Sequence, residues 1–174
     1  MKHSSLLAAA AGLAVFVGLS GCGLKKDTKA ADAAIDQFHQ HWNAGAFKTI
    51  YNEAHKHLRN TRSADEIIAM LERGKQNFGA FKSATRRSGG FNSDNGVTNI
   101  KLKYDSTFER GSAVEAFVYR MTGDKALLIS YEIMSPETAK KIEDAEKAER
   151  EAKRKADEEK RKAEREARKQ TKKP

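Results

Sequence analysis

The sequence predicts an α+β domain, three N-terminal helices packed on a four-stranded antiparallel sheet, followed by a long charged C-terminal helix. Three observations carry that prediction. Apolar residues recur at helical spacing from Ala31 to Phe78 and then at every second position between residues 81 and 134. Helices come first and strands afterwards, without alternation, which makes an antiparallel meander with helices on one face rather than a parallel sheet. From Lys140 onward the chain is built almost wholly of Glu, Lys, Arg and Ala, with one Ile and no aromatic residue, so this segment cannot supply a core.

Ala31, Ala34, Ile35, Phe38 and Trp42 form the apolar stripe of the first expected helix, and Gly45 is its left-handed cap. Phe47, Ile50, Tyr51, Ala54 and Leu58 repeat the stripe in a second. The third opens on Ser63-Ala64-Asp65-Glu66, a capping box, presents Ile67, Leu71, Gly74 and Phe78 inward, and stops at Gly79. The period then falls to two. Residues 81–87 read as a weak strand, and the Ser-, Gly-, Asn- and Asp-rich stretch 88–96 as a loop. Residues 97–109 place Ile100, Leu102, Tyr104 and Phe108 on one face. After a turn at Arg110-Gly111, residues 113–121 supply both faces through Val114, Phe117, Val118, Tyr119 and Met121. Gly123-Asp124 marks a hairpin turn, and residues 125–134 point Leu127, Ile129, Tyr131 and Ile133 inward.

Ser135 as cap and Pro136 in the first turn restart a helix. Acid-to-base pairs four residues apart, among them Glu143/Lys147, Glu146/Arg150 and Glu158/Lys162, each add about 0.2–0.5 kcal/mol and together sustain a solvated helix. An alanine stripe from Ala145 to Ala167 runs near a 3.5 repeat, but no Leu, Ile or Val fills it, so a lone charged helix is expected ahead of a coiled coil.

The N-terminus carries a different signal. Lys2 and His3 precede an apolar run, Leu6 to Leu19, that is shorter than the ~20 residues a membrane span needs and fits the apolar region of a secretory signal. It ends in Leu19-Ser20-Gly21-Cys22, which resembles the lipobox of bacterial lipoproteins. The resemblance implies a diacylglycerol on the Cys22 sulfur, cleavage before Cys22, and usually a further acyl chain on the new N-terminus. More than one chain is what stable anchoring requires. Gly23 is not the aspartate that favours the inner membrane in that family, which implies the outer membrane, facing the periplasm. Cys22 is the sole cysteine, so its acylation excludes disulfides, thiol catalysis and cysteine metal sites in a monomer. The chain divides into a signal peptide (1–21), a tether with Lys25, Lys26 and Lys29 (22–29), a folded domain (30–135) and a charged tail (136–174).

The helix pair Phe38-x-x-x-Trp42-x-x-Gly45-x-Phe47-x-x-x-Tyr51, with the order helices then meander, resembles the cystatin-like cone fold of the nuclear transport factor two superfamily, and within it small bacterial lipoproteins of unknown function. It covers about residues 30–135 and implies a cone between sheet and helices.

Candidate residues are few. His39/His41 and His55/His57 are two His-x-His pairs, but i and i+2 on a helix point about 200° apart, so neither pair chelates alone and no metal site is expected. Trp42, Tyr51, Tyr104, Tyr119 and Tyr131 are candidates to line a cone pocket, against the simpler role of core. Enzymes of the superfamily use a buried acid or base; of Asp105, Glu115 and Glu132, the first and last fall opposite the apolar faces, and no buried acid–base pair can be read. Arg86-Arg87 with Lys101 and Lys103 suggest a basic sheet face. An exported lipoprotein makes anionic lipid or cell-wall polymer a more sensible partner for it than nucleic acid. The expected function is therefore a membrane-anchored envelope lipoprotein, non-enzymatic and without a cofactor. Membrane lipid is its partner through acylated Cys22, and an envelope protein or cell-wall polymer through residues 136–174. The alternative is a module that binds a small ligand in the cone pocket.

Overall fold

The helical stripes of the first half become four helices among the described residues, not three. A computed structural model describes the backbone of residues 20–170 and the side chains of residues 27–165. Its elements are α1 (Ser20–Ala44), α2 (Phe47–Glu53), α3 (Lys56–Thr61), α4 (Ala64–Phe78), β1 (Phe81–Asp94), β2 (Val97–Phe108), β3 (Gly111–Thr122), β4 (Lys125–Met134) and α5 (Pro136–Gln170). The fold is α+β, with one antiparallel sheet in the order β1-β2-β3-β4. Leu19 and the apolar run before it lie outside the described residues, and Cys22 is described by its backbone alone, within α1. No described helix is long and apolar enough to cross a membrane.

Two boundaries at the helical end differ from expectation. α1 begins at Ser20, so the stretch expected as a tether is helical. The expected second helix divides at Ala54-His55, where both residues are extended (ψ 158° and 146°). The His55 N–H donates to the Leu128 carbonyl of β4 at 2.9 Å, while its Nδ1 accepts from the His57 N–H at 3.0 Å and caps α3. A bond to the sheet replaces a bond along the helix, and the side chain supplies the new N-cap. The α4 capping box forms as expected: the Glu66 N–H donates to Ser63 Oγ and the Ser63 N–H to Glu66 Oε2.

β1 does not stop at residue 87. It runs to Asp94 and pairs with β2 throughout, bulging between Phe81 and Ser83 and between Arg86 and Ser88. The turn shrinks to Asn95-Gly96, both at positive φ (48° and 77°), the two-residue geometry that suits the twist of a hairpin. β4 carries one bulge, because Val118 faces Ser130 while Tyr119 faces Leu128. The extra residue reverses the alternation beyond it, so Leu128, not Leu127, is buried, and Ile129 is only half-buried.

The core lies between the sheet and α1–α4. Trp42, fully buried, has its ring centroid 5.7–6.3 Å from those of Phe38, Phe47, Phe108 and Tyr131. Its Nε1–H donates to the Gly79 carbonyl at 3.1 Å. α4 passes so close that a Cβ on Gly74 would sit 2.8 Å from Trp42 Cη2. Lys75 of α4 donates to the carbonyls of Trp42 and Asn43 at 2.8 Å each, capping the C-terminus of α1.

α5 starts on the opposite face. Ser135 Oγ accepts the Thr138 N–H at 3.1 Å as N-cap. Ala139 is buried, as is Val114, the outward-facing residue of β3. One turn on, both carboxylate oxygens of Glu143 accept from Arg87 Nη1 at 3.0 Å, and Lys103 Nζ is 3.7 Å away. α5 thus crosses the outer face from β4 toward β1. Past Glu143 every described side chain is exposed.

Candidate functional site

The alternation that turns Phe117 and Tyr119 into the core also turns Glu115 inward. Glu115 is fully buried, and β2 and β4 bring hydroxyls to it. Tyr131 donates to Oε1 at 2.7 Å, and Ser106 donates to Oε2. From α1, His39 Nε2 lies 3.0 Å from the same Oε2. Two hydroxyls already donate to this carboxylate, so the ring contributes the third donor, Nε2–H. Burial, followed by the charge of Glu115, pushes the Tyr131 hydroxyl well above the usual tyrosine range. His39 is 4 % exposed, and its ring stacks on Phe81 at 3.6 Å between centroids, tilted by 4°. The expectation of His39 as a polar position beside the stripe is therefore corrected: it is core, joined to the one inward-facing strand acid. The signal was present, because His39 follows Ile35 by four residues and Glu115 shares the parity of Phe117.

The other histidines serve separate contacts. His41 Nε2 is 3.2 Å from Glu53, His55 caps α3, and His57 supplies the backbone donor to that cap. The His55 imidazolium is disfavoured first by burial and then by the charge of Arg120. No group of three His, Cys, Asp or Glu side chains among the described residues is arranged to hold a metal ion.

The five aromatic candidates do not share one pocket. Trp42 and Tyr131 are core; Tyr51 donates to the carbonyls of Arg59 and Arg62 at 3.4 and 3.3 Å; Tyr104 donates to Asp32 at 2.9 Å. Tyr119 stands apart. The residue is buried, and its hydroxyl makes no hydrogen bond among the described residues but is not sealed from solvent. It lines a cleft of about 580 Å³ between α1, α2 and the β3–β4 hairpin. Phe38, Ile50, Ala54 and Leu128 form the apolar floor; exposed Gln37, Glu53 and Lys125 form the rim. Burial raises the Tyr119 hydroxyl above the tyrosine range, so it stays a neutral donor. A second cleft of about 540 Å³ opens on the other side of α1, against β1, with His39, Asp32, Asp36, Arg86 and Tyr104 among its lining.

The expected basic face is also resolved into partners. Arg86 and Arg87, adjacent on a strand, point to opposite faces. Arg86 bonds Asp32 and the Tyr104 hydroxyl on the helical side; Arg87 bonds Asp105 and Glu143 on the outer side. Lys101, Asp105 and Glu132 are exposed.

Comparison with known proteins finds no matching family model, no matching curated protein and no matching solved structure.

Proposed function

We propose that this protein is a bacterial envelope lipoprotein, anchored through acylated Cys22 in the outer membrane facing the periplasm. Its cystatin-like domain has a non-enzymatic role, carrying a charged helix to an envelope protein or cell-wall polymer. The observation that carries the reading is the root of α5. Buried Ala139 and the Arg87–Glu143–Lys103 cluster hold its first turns against the sheet, and every described side chain beyond is exposed. At 1.5 Å per residue, the free part projects roughly 40 Å. An arm with a fixed root presents its charges in one direction, which a flexible tail cannot do. Crosslinking in intact cells tests this: full-length protein gives adducts that a chain ending at Ser135 lacks, and Arg87→Glu, which repels Glu143, reduces them. Equal adducts from the shortened chain refute the arm. The anchor is tested separately, since Cys22→Ala abolishes fatty-acid labelling; a lipid-labelled Cys22→Ala protein refutes the lipobox reading.

A second reading, a small apolar or amphipathic ligand held between α1, α2 and the β3–β4 hairpin, is favoured by one observation, the cleft there with its apolar floor and the Tyr119 hydroxyl, engaged by no described residue and not sealed from solvent, among its lining. A ligand carrying one acceptor would satisfy it. Mass spectrometry of solvent extracts from the purified protein tests it: a compound present with wild type and depleted with Tyr119→Phe supports the reading, and identical extracts refute it.

A further inference from the structure

The β1–β2 hairpin ends in a patch unlike the rest of the chain. Residues 88–99 run Ser-Gly-Gly-Phe-Asn-Ser-Asp-Asn-Gly-Val-Thr-Asn and carry one charge, Asp94, in a protein whose residues are 33 % charged. Phe91, Val97 and Ile142 are the large hydrophobic side chains left exposed among the described residues, and the first two, 57 % and 39 % exposed, are both here. They occupy opposite faces of the ribbon. Phe91 pairs with Ile100 of β2 and shares the face of that buried residue, whereas Val97 is three residues from Ile100 and so lies on the other face. A protein docking on one face would cover one of the two. A medium that receives the tip end-on covers both.

Where this tip sits follows from how α1 lies along β1. Asn43 exchanges two hydrogen bonds with the Phe81 backbone, at 2.8 and 3.1 Å, and Asp32 accepts from Arg86. From Asn43 back to Asp32 the helix rises about 16 Å, and from Phe81 to Arg86 the strand also advances about 16 Å. The two elements therefore run side by side in opposite directions. Continued at the same rates, α1 reaches the Cys22 backbone about 15 Å beyond Asp32, and β1 reaches Phe91 about 16 Å beyond Arg86. Phe91 is thus level with the residue that the anchor reading lipidates, and Val97 lies about 10 Å further along the ribbon. Interfacial elements bury their apolar groups about 5–10 Å into the boundary between headgroups and acyl chains. Lys25, Lys26 and Lys29 follow Cys22 on α1, and exposed Lys101 pairs with Gly90; basic residues so placed favour anionic headgroups.

We propose that the β1–β2 tip is a second membrane contact, with Phe91 and Val97 entering the phospholipid interface of the leaflet that anchors Cys22. This rests on the lipid-anchor reading and adds an orientation to it. An acyl attachment at one point leaves a domain free to swing. An apolar wedge beside it fixes which end of the sheet faces lipid, and because α1 is helical from Ser20, the helix sets the distance between domain and bilayer.

The test uses the lipidated protein extracted from cell membranes and reconstituted into phosphatidylethanolamine–phosphatidylglycerol vesicles. Phe91→Cys, Val97→Cys and, exposed at the opposite end of the sheet, Ser112→Cys each receive the environment-sensitive fluorophore NBD on the introduced thiol. Emission at 91 and 97 should shift to the blue and be quenched by lipid spin-labelled on its acyl chains, while 112 shows neither. In unlabelled protein, amide hydrogen exchange across 88–99 should slow on reconstitution, and Phe91→Ser with Val97→Ser should remove that protection while leaving the unfolding transition at the parent value. Unquenched labels at 91 and 97, equal quenching at 112, or unchanged exchange across 88–99 overturns the proposal. A blue shift without quenching by lipid also overturns it, because a second copy of the chain then covers the tip. Fatty-acid labelling reports the anchor separately: labelled protein with a water-exposed hairpin sinks this contact alone, and unlabelled protein sinks the anchor and this contact together.

Discussion

Removing the Glu115 carboxylate is the sharpest test of the polar centre. In Glu115→Ala, three buried donors lose their acceptor at once: the Tyr131 hydroxyl at 2.7 Å, the Ser106 hydroxyl and His39 Nε2–H at 3.0 Å. Each orphaned donor costs about 1–3 kcal/mol. The variant also no longer buries a carboxylate, which returns part of that loss. On balance a loss of about 3–5 kcal/mol is expected from orphaning three buried donors, a large part of the 5–15 kcal/mol that holds a typical domain. Glu115→Gln keeps the volume and one acceptor oxygen and should lose less, about 1–3 kcal/mol. Trp42, the single tryptophan and fully buried, reports unfolding by fluorescence in urea. With a slope of about 1–3 kcal/mol per molar urea, a 4 kcal/mol loss moves the midpoint down by roughly 1–4 M. A midpoint within experimental error of wild type, at unchanged slope, would mean that Glu115 does not satisfy three buried donors.

Other perturbations probe separate parts of the fold. Gly74→Ala drives a methyl group to 2.8 Å from Trp42 Cη2, an overpacking of about 1–3 kcal/mol against a helix-propensity gain of up to about 1 kcal/mol; thermal melts should show net destabilisation that Trp42→Phe partly relieves, and a stabilised single variant contradicts the close approach. Glu66 is held below the usual glutamate range first by the Ser63 N–H and then by its hydroxyl. The resulting stability is present above the unfolded-state value and is lost as pH falls through the lowered folded-state value. Melting temperatures of wild type and Glu66→Gln should therefore converge in acid, and a constant gap contradicts the cap. A peptide from Ser135 to Pro174 should be helical and monomeric in dilute buffer and lose helix in molar salt, where the Debye length is about 3 Å, and at low pH, where its Lys and Arg residues repel. Circular dichroism at two concentrations separates this from a coiled coil, whose helicity rises with concentration.

What the sequence determined by itself is what local chemistry controls. The α1 stripe and the α4 capping box depend on residues three to four apart, and β2 alternation on residues two apart, so they could be read without knowing the partner surface. The positive-φ glycines at 45, 79 and 123 close or turn elements for reasons internal to a few residues. The tail is helical for the same reason, since its pairs are local. The tertiary structure decided where a local preference met a distant group. The helix expected through Leu58 breaks because the His55 N–H finds Leu128 of β4. The Gly- and Ser-rich stretch after Arg87 is strand because β2 offers it a complete ladder, and a strand needs a partner more than a propensity. The β4 bulge moves burial from Leu127 to Leu128 because its register is set by β3. His39 and Glu115 are 76 residues apart, and nothing within either segment announces the other. Only packing α1 across β3 makes them one site, and only crossing the outer face lets Arg87 hold the root of α5. Periodicity reports which face of an element is apolar; which polar groups meet on that face depends on the angle and register of packing, which the chain sets only when it folds.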